Sequence, residues 1–169
     1  MTQEWPILWS FRRCPYAMRA RLALKSAGIT VALREILLRD KPDAFLATSK
    51  NATVPVLELK DGRVIEESLD IMFWALQETG DPAGWLSRWS QRKQDTQAFL
   101  DVLDGEFKTD LDRYKYASRY AADTQSAAEL SNRHRASGCK FLKRIDTRLS
   151  NKSFLNGYSA GLEDYAALP

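Results

Sequence analysis

Residues 7–17 read Ile7-Leu8-Trp9-Ser10-Phe11-Arg12-Arg13-Cys14-Pro15-Tyr16-Ala17, and a helical pattern follows from Met18 to Ala27. The apolar start predicts a buried strand over Pro6–Phe11, and the rest predicts a helix over Pro15–Ala27 that Gly28 ends. Proline suits the first helical position because its missing N–H would have had no partner there. The stretch therefore predicts a strand, a turn, a cysteine and a helix in that order.

Cys14 is the candidate catalytic residue. A thiol at the start of a helix lies near unpaired N–H groups and the positive end of the helix dipole, and both favour the thiolate. Arg12 and Arg13 add positive charge nearby, so these surroundings are typical of a nucleophilic cysteine. The alternative is a buried cysteine that serves as a small apolar residue.

Ala17 occupies the position where a Cys-x-x-Cys pair has its second thiol. A mixed disulfide on Cys14 would therefore be resolved by a thiol from outside the motif. Cys139 lies far along the chain, and nothing in the sequence brings it to Cys14. Two cysteines and no recognisable signal peptide favour a reducing, cytoplasmic setting.

The composition is that of an ordinary soluble protein of one or two domains, with 169 residues, 28% charged and 44% hydrophobic. A net charge of +3 is too small to imply nucleic-acid binding. No apolar run is long enough to span a bilayer, so we expect no membrane partner. His134 is the only histidine, and without a His/Cys cluster we expect no metal site.

The remaining pattern predicts an α/β domain followed by an all-α domain. In the first we expect strands, a loop with a short helix, and a final helix, at Val31–Leu38, Lys41–Ser49, Val54–Leu59, Arg63–Ile65 and Ser68–Glu78. The first βα unit calls for parallel strands, and the Asp61-Gly62 turn calls for an antiparallel hairpin. A mixed sheet covered by helices follows.

A change of composition at residues 80–84 marks a linker. The predicted domains are therefore 1–79 and 87–169, with residues 80–86 between them. Apolar residues recur at helical spacing over Phe99–Tyr114 and again over Ala127–Leu149. This predicts two long antiparallel helices that bury these faces.

The whole arrangement resembles a cytosolic glutathione S-transferase, and the cysteine makes it similar to omega-type and related bacterial members. Four motifs carry the resemblance: Cys14-Pro15-Tyr16-Ala17, Thr53-Val54-Pro55, Glu67-Ser68, and Leu155-Asn156-Gly157 with Gly161-Leu162-Glu163-Asp164. The second matches the family's cis proline before a strand, and the fourth is similar to a helix N-capping box. The resemblance implies a thioredoxin-like N-terminal domain with a mixed sheet, and a helical C-terminal domain that is incomplete at Pro169.

The resemblance also implies glutathione as co-substrate and no metal. Cys14 would be catalytic, and the glutathione-binding residues would be Tyr16, Lys41, Val54, Pro55, Glu67 and Ser68. Val54 before a cis proline would turn its backbone toward a peptide ligand, and Ser68 at a helix N-terminus suits a carboxylate. Glu67 would meet the ligand's ammonium group, and Lys41 its second carboxylate.

Each of these residues also has a simpler interpretation. Pro55 alone fits an edge-strand proline, Ser68 a plain N-cap after a solvated Glu67, and Lys41 a surface lysine. A second-substrate pocket is expected at Tyr114, Tyr116 and Tyr120, for which the alternative is exposed or half-buried tyrosines.

These residues predict a glutathione-dependent thiol transferase or reductase that uses a single nucleophilic cysteine. Its partners would be glutathione, a small disulfide or electrophile, and a second copy of the chain in a homodimer. Two alternatives are a glutathione S-transferase that conjugates electrophiles and a non-catalytic binding protein on the same fold.

Overall fold

The computed structural model describes residues 4–121 and 126–169. The chain divides into two units, one ending at Ser87 and one comprising Arg88–Ala167, and Leu168 and Pro169 group with the first. The predicted linker, 80–86, includes the first residues of a helix that begins at Trp85. In these two ranges no helix is long and apolar enough to cross a membrane.

The first unit contains a mixed four-stranded sheet, as predicted. Its elements are β1 (Ile7–Ser10), α1 (Pro15–Ser26), β2 (Ala32–Glu35), α2 (Asp43–Thr48), β3 (Val56–Glu58), β4 (Val64–Ile65) and α3 (Ser68–Glu78). The strand order is β2-β1-β3-β4. β1 pairs in parallel with β2 and antiparallel with β3, and β3 pairs antiparallel with β4.

The sheet buries side chains on both faces because successive strand residues point to opposite sides. Leu8 and Leu57 belong to a core cluster that includes residues of α1 and α3. Trp9 and Val56 belong to a second cluster with Phe45 of α2. The Trp9 and Phe45 ring centroids are 5.7 Å apart.

The ends of α1 follow the local sequence signals. Pro15 is its first residue, and the chain leaves the helix through Gly28 at φ +71°. Gly28 N donates to Lys25 O and Ile29 N to Leu24 O, which together satisfy the last carbonyls of the helix in a Schellman motif.

Helix α3 has the predicted bounds. Its buried apolar residues are those expected from the helical spacing, namely Ile71, Met72, Ala75 and Leu76.

Strand β2 is shorter than predicted. It ends at Glu35, and only Ile36 of the following aliphatic run is buried. Leu37 forms an isolated bridge with Asp40, and Leu37 and Leu38 are exposed. The prediction of a strand through Leu38 was wrong because β2 is the edge strand, and the chain turns away once β1 offers it no further partner.

The second unit is helical. Its elements after α4 (Trp85–Gln91) are α5 (Lys93–Val102), a π-helical turn (Leu103–Phe107), α6 (Lys108–Lys115), a 3₁₀ turn (Ala117–Arg119), α7 (Ala127–Leu149) and α8 (Leu162–Ala167). The Phe141 ring of α7 lies 5.4 Å from Phe99 and 4.8 Å from Phe107. Tyr114, Leu142 and Leu149, expected in this core from their spacing, are exposed.

The predicted N-capping box precedes α8. The Asp164 carboxylate accepts hydrogen bonds from Gly161 N and Leu155 N, both at 2.9 Å. Gly161 supplies no side-chain oxygen, so the side-chain bonds of this capping box come from Asp164. A complete capping box between Ser126 and Glu129 begins α7; its Ser-x-x-Glu spacing is visible in the sequence but was not among the predicted motifs.

Glu163, one residue before Asp164, is fully buried. Its carboxylate lies 3.8 Å from Arg148 Nη1. Burial raises the pKa of Glu163, and its interaction with Thr96 and the charges of Arg148 and Arg92 only partly oppose this.

We predict that Glu163→Gln stabilises the protein more at about pH 8 than at about pH 5. Because the pKa of Glu163 is raised in the folded state, the stability gained from its protonation is fully present below the unfolded-state pKa. This stability is lost as the pH rises through the folded-state pKa. Glutamine at this position does not ionise, so the variant avoids this loss of stability. The free energy of unfolding in urea, measured at both pH values, gives the difference.

Glu106→Gln is the matched control, because Glu106 is exposed in the same unit. A Glu163→Gln effect as flat with pH as that of the control would contradict the prediction.

Candidate functional site

Cys14 is the N-cap residue of α1, with extended backbone angles and no side-chain capping bond. Its N–H donates to Phe11 O at 3.0 Å, and its carbonyl accepts from Met18 N at 2.9 Å. The half-buried thiol donates a hydrogen bond to Val54 O at 3.6 Å. The end of β1 and the approach to β3 therefore meet at the sulfur atom.

The turn between β1 and Cys14 is held from two sides. Arg21 of α1 donates to Ser10 Oγ at 2.5 Å and to Arg12 O at 3.1 Å. The Glu35 carboxylate at the end of β2 accepts from Arg12 N at 2.6 Å. The side chains of Arg12 and Arg13 themselves are exposed, so the bracing depends on Arg21 and Glu35.

The Val54–Pro55 peptide bond is cis, as the resemblance implied. Pro55 is buried and directly precedes β3, which is an inner strand between β1 and β4. The alternative interpretation as an edge-strand proline is therefore wrong.

Glu67 and Ser68 stand at the start of α3, as predicted, but Ser68 is not the N-cap of the helix. Glu67 is the exposed N-cap, without a side-chain capping bond, and Ser68 is the first helical residue. Ser68 is only 2% exposed, and its Oγ accepts a hydrogen bond from Arg19 Nε at 2.9 Å. Ser68 is thus neither a plain N-cap nor a surface residue, because a buried arginine of α1 reaches it.

A cavity of about 300 Å³ lies in the first unit. It is lined by Tyr16, Thr53, Val54, Pro55, Glu66, Glu67 and Ser68. Five of these were predicted to bind glutathione, and Cys14 is connected to the cavity through its bond to Val54 O. The fold therefore brings the starts of α1, β3 and α3 together around one opening.

Glu66 was missed by sequence reasoning. Its carboxylate accepts from Ser49 Oγ at 2.8 Å and from Asn51 N at 3.3 Å. The hydrogen bond from Ser49, supported by the backbone donor, lowers the pKa of Glu66 despite some burial. Its position beside Glu67 was the only available signal, since the partners come from a loop 15 or more residues away.

Lys41 is half-buried in the segment before α2 and is not among the lining residues of the cavity. Its contact with a ligand stays a prediction.

The three predicted pocket tyrosines lie in the second unit, and all are exposed. Tyr114 of α6 lines a separate cavity of about 280 Å³ with Asp110, His134 and Cys139. Tyr116 and Tyr120 flank the 3₁₀ turn and do not line this cavity. The second unit therefore does not bring the three hydroxyls into one pocket.

His134 is buried, and its Nδ1 lies 2.6 Å from Asp110 Oδ1. Burial opposes ionisation of Asp110, but hydrogen bonds from His134 and Ser137 outweigh it and lower the pKa of Asp110. This pairing gives Nδ1 of His134 a partner, whereas its buried Nε2 has no hydrogen-bond partner among the described residues. Within the described ranges no group of three His, Cys, Asp or Glu residues could hold a metal ion.

A family model described as the N-terminal domain of glutathione S-transferase matches residues 8–83. Glutathione S-transferase omega-1 of Sus scrofa is 39% identical over 61 residues, which are 36% of this chain and 25% of that protein. Glutathione S-transferase U22 of Arabidopsis thaliana is 24% identical over 161 residues, 95% of this chain and 69% of that protein. The chain thus matches about a quarter of the length of its omega-class relative.

Solved structures share the fold. Glutathione transferase Omega 3C from Trametes versicolor has a TM-score of 0.81 at 20% identity, covering 97% of this chain and 70% of that one. Rice GST1, solved in complex with glutathione, has a TM-score of 0.78 at 21% identity, covering 98% and 74%. The predicted fold class, a thioredoxin-like domain with a mixed sheet and a helical part after it, is confirmed by these similarities. The match over residues 8–83 makes the first unit similar to the N-terminal domain of glutathione S-transferases, and the solved structures show that the chain shares their fold.

Proposed function

We propose that this protein is a glutathione-dependent thiol transferase in which Cys14 is the nucleophile. The observation that carries the proposal is the hydrogen bond from Cys14 Sγ to Val54 O, at 3.6 Å. It sets the thiol beside the backbone that precedes β3, at a cavity with donors and acceptors on its walls. A peptide that paired with this backbone would present its own sulfur to Cys14.

The cavity offers partners for the γ-glutamyl and cysteinyl groups of glutathione. The start of α3 and the Ser68 hydroxyl suit the carboxylate of the γ-glutamyl residue, and the exposed Glu67 suits its ammonium group. The Val54 backbone suits the cysteinyl amide, and Tyr16 forms part of the wall. Lys41, in the segment before α2, would bind the glycine carboxylate of glutathione.

Thiol–disulfide exchange would proceed in two balanced steps. The Cys14 thiolate attacks the glutathionyl sulfur of a mixed disulfide, forms a Cys14–glutathione disulfide and releases the other thiol as a thiolate. Free glutathione thiolate then attacks that glutathionyl sulfur, which regenerates the Cys14 thiolate and releases oxidised glutathione. An outside thiol is needed because Ala17 occupies the second position of the motif and is fully buried.

A cytoplasmic location, where the glutathione pool keeps thiols reduced, is part of the proposal and stays a prediction.

We predict that Cys14→Ala lowers reduction of a glutathionyl mixed disulfide by at least about 100-fold, because the attacking sulfur is lost. Rates with 2-hydroxyethyl disulfide and glutathione measure this. Cys139→Ala is the matched control, since Cys139 is a free, exposed cysteine in the second unit. Wild-type activity in the Cys14 variant would make Cys14 structural.

The same pair of proteins tests the alternatives. If the wild type conjugates an electrophilic substrate rapidly and reduces no disulfide, it is a conjugating transferase. If the wild type binds no glutathione in calorimetry, the non-catalytic alternative replaces both enzymatic functions.

We predict that Glu67→Gln and Ser68→Ala each weaken glutathione binding by about tenfold, since each loses a bond to a charged ligand group. The two differ in stability. Glu67 is exposed, so Glu67→Gln leaves it unchanged, whereas Ser68→Ala removes the acceptor of Arg19 and costs about 1–3 kcal/mol. Calorimetry and urea unfolding measure the two effects.

Asp70→Asn is the matched control for charge, because Asp70 is exposed in the first turn of α3 and does not line the cavity. Equal losses of glutathione affinity in Asp70→Asn and Glu67→Gln would show a general charge effect and remove Glu67 from the site.

We predict that the protein is a homodimer. Leu142 and Leu149 of α7, expected in the core, are exposed, and a second copy would cover this apolar surface. Sedimentation at micromolar concentration should give the mass of two chains, and Leu142→Glu should shift it toward one. A monomeric wild type would contradict the prediction.

A further inference from the structure

Arg19 is an arginine of α1 that lies in the interior of the first unit. It is 4% exposed, whereas Arg12 and Arg13 in the preceding turn are exposed. Burying a guanidinium group carries a large desolvation cost, so its surroundings must supply compensating interactions. The contacts of Arg19 therefore indicate which part of the structure it supports.

Two of those contacts belong to the wall of the cavity. Nε donates to Ser68 Oγ at 2.9 Å. The guanidinium carbon lies 4.8 Å from the centre of the Tyr16 ring, one helical turn earlier on the same face of α1. Ser68 and Tyr16 both line the cavity. Arg19 thus holds two wall residues in place from behind.

The direction of the bond to Ser68 matters for a ligand. A hydroxyl group has one proton to donate and two lone pairs that accept. Because Arg19 donates to Ser68 Oγ, the serine cannot direct its proton back to Arg19, and that proton is available for an acceptor in the cavity. A donor with a positive charge also polarises the hydroxyl, which strengthens the bond it makes next.

Positive charge also accumulates at this point. Ser68 is the first residue of α3, where the helix dipole presents its positive end. The guanidinium reaches that same residue, so both favour an anionic group in front of Ser68. Glu66 and Glu67 carry the opposite charge, but the Glu66 carboxylate is bonded to Ser49 and Asn51, and Glu67 is exposed and one residue outside the helix.

We propose that Arg19 is a positioning residue for the γ-glutamyl carboxylate of glutathione: it orients and polarises the Ser68 hydroxyl and adds positive charge behind it, without itself contacting the ligand. This rests on the proposed function, because it assumes that glutathione occupies the cavity. Its role is in binding and not in the sulfur chemistry of Cys14.

The test compares glutathione with an analogue in which 4-aminobutanoate replaces the γ-glutamyl residue, so that only the carboxylate facing Ser68 is lost. In calorimetry, Arg19→Gln should weaken glutathione binding by about tenfold and change binding of the analogue by less than about twofold. Arg19→Lys should show the same selective loss. Its ammonium lies at the end of the side chain and cannot donate from the Nε position, while its charge and aliphatic chain preserve folding.

Three further measurements separate positioning from a structural role. In the Ser68→Ala background, Arg19→Lys should weaken glutathione binding by less than about twofold, because its route to the ligand has gone. In the disulfide assay, Arg19→Lys alone should raise KM for glutathione about tenfold and change kcat at saturating glutathione by less than about threefold. Lys25→Gln, an exposed residue in the last turn of α1, is the charge control and should change nothing.

If Arg19→Lys weakened the binding of glutathione and of the analogue equally, the inference would be overturned, since Arg19 would then only support the fold. Unchanged affinity for glutathione would overturn it as well. Both outcomes leave the proposed function standing. If the wild type binds no glutathione at all, the proposed function fails and the inference falls with it.

Discussion

The antiparallel pairing of β1 with β3 places the end of one strand beside the start of the other. Trp9 pairs with Val56 in this register, so the residues after β1 and those before β3 are adjacent at one edge of the sheet. β4 pairs antiparallel with β3 and therefore runs in the direction of β1, which brings the start of α3 to the same edge. The thiol, the Val54 backbone and the Ser68 hydroxyl come together because the pairings of β1 with β3 and of β3 with β4 place all three at that edge.

The elements that the sequence predicted well are those whose limits are set locally. Pro15 and Gly28 mark the ends of α1, and the Asp61-Gly62 turn defines the hairpin, with Gly62 at φ +84°. The strand predicted through Leu38 failed because the extent of an edge strand depends on its partner. The prediction that Leu142 and Leu149 are buried was wrong for a similar reason, since helical spacing identifies an apolar face but not what covers it.

The candidate site shows the same division. Short sequence motifs contain four of the predicted site residues, Cys14, Val54, Pro55 and Glu67. The structure places them at or beside one cavity. Ser68 is buried and bonded to Arg19, which lies 49 positions earlier in the sequence. No local sequence pattern predicts a contact between residues so far apart. The sequence does not distinguish the four arginines near Cys14. Arg19 bonds to Ser68, Arg21 supports the turn before Cys14, and Arg12 and Arg13 are exposed.

Two buried charges, Arg19 and Glu163, show how differently the two units use ionisable groups. Glu163 faces an arginine 3.8 Å away, and burial still raises its pKa, so the interior of the second unit disfavours its ionised form. Arg19 brings a guanidinium cation into the interior of the first unit. A permanent buried cation raises the free energy of the first unit unless neighbouring dipoles and anions offset it. On our proposal the γ-glutamyl carboxylate provides part of that offset, so the desolvation cost of Arg19 becomes selectivity for a ligand that carries this group.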